Sequence, residues 1–145
     1  MSGGLVDLVA LKKDLVAAGL EIYSTRATEL AIAERVRMHL MDAGVSVLVR
    51  DGLLVVRFVG RAQKSDDPDR EEGDAFELVR ARIGVLAAAR RYGEANAQVI
   101  SVSDPHESSR VLDTWYEIAF ECECGSKDDC IAEVRWALSI ERYVA

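Results

Sequence analysis

Cys122, Cys124 and Cys130 are the residues whose type and spacing come nearest to chemistry in this sequence. In an extended strand Cys122 and Cys124 point to one side, so a soft metal can be approached from there. Structural zinc, however, takes a tetrahedral ligand set from knuckles of the C-x2-4-C or H-x3-5-H kind, and C-x-C-x5-C is not that spacing. His106 completes the set only if the Asp104–Val111 loop folds beside the end of the next strand. The plainer reading makes Cys122 a small core residue and Cys130 part of an inner helix face, with Cys124 incidental. No cofactor is therefore predicted, and zinc on Cys122, Cys124, Cys130 and His106 is the alternative. A redox role for Cys124 ranks lower. The thiol lies just before a helix cap, which favours thiolate, but Glu121, Glu123, Asp128 and Asp129 oppose it.

The histidines and arginines offer less. His39 falls late in a segment with helical spacing, where a positive ring is mildly favoured by the helix dipole. Ser103-Asp-Pro-His-Glu-Ser-Ser109 contains acid, base and hydroxyl groups, and Asp104, His106 and Glu107 are the candidates for small-molecule chemistry. Polar loops hold such groups anyway, and no second matched segment accompanies them, so no catalytic residue is assigned. Neither G-x-x-x-x-G-K-[ST] nor a post-strand G-x-G-x-x-G occurs. Arg80, Arg82, Arg90 and Arg91 sit on one predicted helix without interleaved aromatics, and Glu77 before Arg80 reads as pairing on a wet face.

The totals set the frame. With 145 residues, half of them hydrophobic, the chain is the size of one domain and can bury a core without metal or disulfide. A net charge of -7 argues against nucleic acid and anionic membrane as partners, because both need a basic footprint. Three cysteines and no signal-peptide order at the start predict a cytoplasmic protein with reduced thiols. No apolar run approaches the roughly 20 residues of a membrane helix.

The elements that must position these groups are organised around Val45–Val59. Asp51-Gly52 between two apolar runs predicts a hairpin with a type I′ turn. The register then sets Arg50 opposite Leu53, Val49 opposite Leu54, Val47 opposite Val56 and Val45 opposite Phe58. Before it, Leu5, Leu8, Leu11 and Leu15 predict a first helix stopped at Gly19. Leu30, Ala33, Val36 and Leu40 predict a second, capped by Ser24 or Thr25 and ended by Gly44. Residues 60–73, with no apolar period and a proline, read as an exposed flexible loop. Asp74 and Glu77 have the spacing of a capping box for a third helix, with Phe76, Val79, Ile83 and Leu86 inward. A strand over 98–103 is joined by a loop over 105–111 to one from Leu112. There Tyr116, Ile118, Phe120 and Cys122 face one way, and Trp115, Glu117, Ala119 and Glu121 the other. Ser126 and Asp129 open a last helix with Ile131, Val134 and Leu138 inward.

The order ααββαββα predicts a single α+β domain, a two-layer sandwich with helices on one face of a mainly antiparallel four-stranded sheet. Its second face is left partly bare. Trp115, Leu53, Val55 and Trp136 are the apolar residues outside the inner stripes and are the predicted contact residues. The function this implies is a non-enzymatic protein-protein interaction module, adaptor or chaperone-like, homodimeric through a sheet face or edge. The alternative is a metal-binding or redox-thiol protein built on the cysteines.

Overall fold

The structure is a computed structural model that describes residues 7–145, so Leu5 of the predicted first helix lies outside the described residues. Helix α1 spans Leu8–Ala17 and is capped by Asp7, whose carboxylate accepts hydrogen bonds from the backbone N–H of Val9 and Ala10. Leu8, Leu11 and Leu15 face inward, and Gly19 takes the left-handed φ of 90° that ends the helix.

The predicted second helix is absent from this chain. Its window holds strands β1 (Glu21–Thr25) and β2 (Glu29–Val36) and the start of β3 (His39–Arg50). Leu30 and Ile32 are both fully buried, two residues apart, which is the strand period and not the helical one. The Ala, Glu and Arg of this stretch prefer helix, but β2 is paired on both sides, and those ladders override propensity. Arg37 and Met38, both at positive φ, make the tight turn into β3. Gly44, read as a helix stop, instead takes φ 73° where the β2–β3 register shifts, and its N–H bonds the Asp42 carboxylate.

The central hairpin has the predicted register. Val45 pairs Phe58, Val47 pairs Val56, Val49 pairs Leu54, and Arg50 pairs Leu53. Asp51 and Gly52 are at φ 52° and 76°, the conformation a type I′ turn requires. Strand β4 runs over Leu53–Gln63, so 60–63 of the predicted loop belong to a strand in which Ala62 is fully buried. Two later strands, β5 (Gly93–Asp104) and β6 (Glu107–Cys124), are longer than predicted and are joined by Pro105 and His106 alone.

The fold is therefore not a four-stranded, two-layer sandwich. Seven strands form one mostly antiparallel sheet in the order β1-β2-β3-β4-β6-β5, with β7 (Tyr143–Val144) running parallel beside β4. The extra strands come from the segment misread as helix and from the chain end. By contact the chain divides into two compact units, one comprising the chain up to Phe58 with Glu121–Ile140, the other Val59–Phe120 with Glu141–Ala145.

In the first unit, helix α4 (Lys127–Ser139) opens as predicted, with the Ser126 hydroxyl accepting from the Asp129 N–H. Its inner face is Cys130, Val134 and Ala137, and Trp136 meets Phe58 edge to face at 5.8 Å. Arg135 donates to the Ala18 carbonyl and Lys127 reaches Asp14, which ties α4 to α1.

In the second unit, α2 (Glu72–Val79), a π turn (Arg80–Gly84) and α3 (Val85–Ala89) form one continuous helical segment. It starts at Glu72, so Asp74 is not its cap. The π turn inserts an extra residue, and the inner face passes from Val79 and Ile83 to Ala87 in place of the predicted Leu86, which is 43% exposed. Phe76 packs edge-on against Tyr116 at 5.7 Å. Gly60 lies under this segment, where an added Cβ would stand 3.0 Å from Ile83 Cδ1, so a glycine permits the close approach.

Candidate interaction surface

The outward phase of β6 carries charge pairs. In the first unit the Glu121 carboxylate accepts from Arg50 at 2.7 and 3.0 Å and from Arg57 at 3.0 Å. Arg50 above all, with Arg57 assisting, holds this carboxyl below its ordinary pKa against the opposite push of burial. In the second unit Arg61 donates to Glu117 at 2.6 Å and lies 3.7 Å over the Trp115 ring. Asp113 accepts from the Ser65 hydroxyl and N–H and from the Trp115 indole. Burial would raise the Asp113 pKa, but these hydrogen bonds outweigh it and the net shift is downward.

Of the predicted contact residues, Leu53 alone is open, at 46% exposure beside the hairpin turn. Val55 is 3% exposed and packs opposite Leu48. Trp115 is half-buried beneath Arg61, and Trp136 half-buried against Phe58. Arginine–carboxylate pairs stand beside them in each unit, Arg50 and Arg57 with Glu121 in the first and Arg61 with Glu117 in the second.

The open surface lies on β5. It is the last strand in the sheet order, and among the described residues no strand pairs with its outer edge. Gly93 to Val99 are exposed without alternation, and of the rest only Ile100, Val102 and Asp104 are half-covered. Between Glu94 and Asp104 every residue is uncharged, and Gly93–Asp104 contains no lysine, arginine or proline. Those are the residues with which natural edges repel further strands. The two terminal acids are held by their own chain. Arg80 forks onto Glu94 at 2.7 and 3.0 Å, and Arg110 reaches Asp104 at 3.9 Å. Hydrogen bonding from Arg80 lowers the Glu94 pKa. The absence of any charge from Ala95 to Ser103 is the signal in the sequence that marks this edge.

The cysteines and histidines are placed as follows. Cys122 and Cys124 are half-buried on β6, and Cys130 is buried on α4. A hydrogen bond with Cys130, reinforced by burial and by Glu133 and Asp129, keeps the Cys124 thiol protonated far above its ordinary range, and as acceptor Cys130 is lowered. His106 sits in the turn at the opposite end of β6, with its N–H on the Asp104 carboxylate, and His39 is exposed at the start of β3. Among the described residues no three His, Cys, Asp or Glu side chains are grouped to hold a metal ion, and no helix is long and apolar enough to cross a membrane.

Glu121, Asp113 and Glu94 all have lowered folded-state pKa values, so each adds stability above its unfolded pKa that is lost as pH falls through the folded one. The urea midpoint is expected to decline from about pH 5 downward. Glu121→Gln should flatten that decline, and an equal midpoint at both ends of the range would contradict the linkage. Compared with protein families, curated proteins and solved structures, the chain matches none.

Proposed function

We propose that the chain is a non-enzymatic protein-interaction module, adaptor or chaperone-like, that works by taking another polypeptide onto the edge of its sheet. The observation that supports this is the β5 edge, twelve residues long, largely exposed and uncharged between Glu94, which Arg80 holds at 2.7 and 3.0 Å, and Asp104, with Arg110 3.9 Å away. Such an edge offers a row of N–H and C=O groups to an added strand, with affinity from the main chain and selectivity from alternate side chains. The test is paired affinity capture from the native host with wild type and Val99→Lys, which places a charge mid-edge. Proteins held by wild type and lost on Val99→Lys support the reading. Identical sets overturn it.

A thiol protein is the second reading, and it rests on Cys124 and Cys130 lying near enough to shift each other's thiol pKa in opposite directions. A small disulfide such as oxidised glutathione would accept two electrons and two protons from the pair, leaving an internal disulfide and two small thiols. Alkylation after that treatment should then label Cys122 alone. Three labelled cysteines would remove this alternative.

A further inference from the structure

Resting on the edge reading above, we propose that the occupant of β5 is a second copy of this chain, laid antiparallel on β5 about a twofold axis. The composition of the strand is self-complementary. Any antiparallel pairing of Ala95–Ser103 with itself opposes neutral residues to neutral residues, whereas a partner strand bearing charges would find no counter-charge there. The two acids of the strand, Glu94 and Asp104, stand near its ends, Glu94 paired with Arg80 and Asp104 3.9 Å from Arg110, so a register that keeps them apart leaves no like charges opposed. The strand is also about twice the ordinary length, which gives the pairing many main-chain bonds. Val99, 45% exposed, gains cover on a sheet that continues into a neighbour.

The geometry narrows the register. Two edges joined in one sheet are related by an axis perpendicular to it, so opposed residues lie on the same face and a residue of β5 meets its own copy at the axis. An axis at Val99 would set Glu94 against Asp104, acid facing acid. An axis at Gln98 separates them and sets Ala97 opposite Val99 and Ala95 opposite Ser101. The second arrangement is the expected one.

Sedimentation velocity on the full chain from low to high micromolar concentration is the test. A concentration-dependent dimer is expected, weakened at least about tenfold by Val99→Lys through like charges brought together near the dyad, and unchanged by Val9→Lys on the exposed face of α1. Mild oxidation of Gln98→Cys should give a covalent dimer linked through position 98, and Asn96→Cys should not. This comparison decides the question if Val99→Lys loses its fold by circular dichroism. A monomer at every concentration, or a dimer indifferent to Val99→Lys, overturns the proposal. If the monomer still loses captured proteins on Val99→Lys, the second copy is wrong and the edge reading stands; if capture is also unchanged, both fall.

Discussion

Arg61→Met is expected to lower the unfolding free energy by about 3 kcal/mol, measured by urea denaturation at neutral pH, because it strands a buried carboxylate. Glu117 has a side chain only 7% exposed, and the bond from Arg61 is 2.6 Å long. Removing one partner of a buried pair costs roughly 3 to 5 kcal/mol, and the lower end applies because Arg61 is itself 31% exposed and partly solvated. Methionine keeps an aliphatic stem over the Trp115 ring, so most of the loss reports on the charge and little on lost packing. Adding Glu117→Leu should recover most of it, since replacing both partners by apolar groups removes the desolvation penalty. A single variant as stable as wild type would show that Glu117 finds water or another donor.

Phe58→Ala should be at least as damaging, at about 3 to 5 kcal/mol in the same assay. Phe58 is fully buried, pairs Val45 across the hairpin, and meets Trp136 edge to face. Truncation removes the largest side chain beneath α4 and leaves a cavity that the sheet cannot close, because Val45 and Val56 are fixed by their own ladder bonds. Many small domains have only 5 to 15 kcal/mol in total, so the variant should stand near its unfolding threshold. Near-UV circular dichroism should change with it as Trp136 loses its ring partner. Full retention of stability would mean that the α4 contact carries little of the first unit.

How much of this was legible without coordinates depends on how local the controlling interaction is. The Asp51-Gly52 hairpin and its register were readable, because the turn residues accept positive φ cheaply and the strand period then assigns every partner. The Ser126 cap and the Gly19 stop were readable for the same reason, since a few neighbouring atoms decide them. The stretch from Ser24 to Gly44 was misread because Leu30, Ala33, Val36 and Leu40 fit a helix while Leu30 and Ile32 fit a strand, and the two patterns share residues. Its outcome rests on pairing to β1 and β3 on either side. Likewise Leu86 looked inward, and only the π turn ahead of it rotates that face onto Ala87.

The candidate surface divides in the same way. An uncharged run from Ala95 to Ser103 was visible as composition, and so were the acids and arginines around it. Whether that run lay at a rim or in the middle of a sheet was not, because edge status depends on which other strands exist, and three of the seven arose where none was predicted. The four apolar residues read as contacts are assigned from their phase on a strand or helix, and Val55 is nonetheless buried at 3% exposure. That position does not fix exposure, which depends on what the neighbouring strand sends across: Arg61 over Trp115, Phe58 against Trp136, Leu48 beside Val55. The Asp51-Gly52 turn, the Ser126 cap and the hairpin register follow from interactions that reach over a few residues. Strand order, edge and cover were decided only by contacts between segments far apart in the chain.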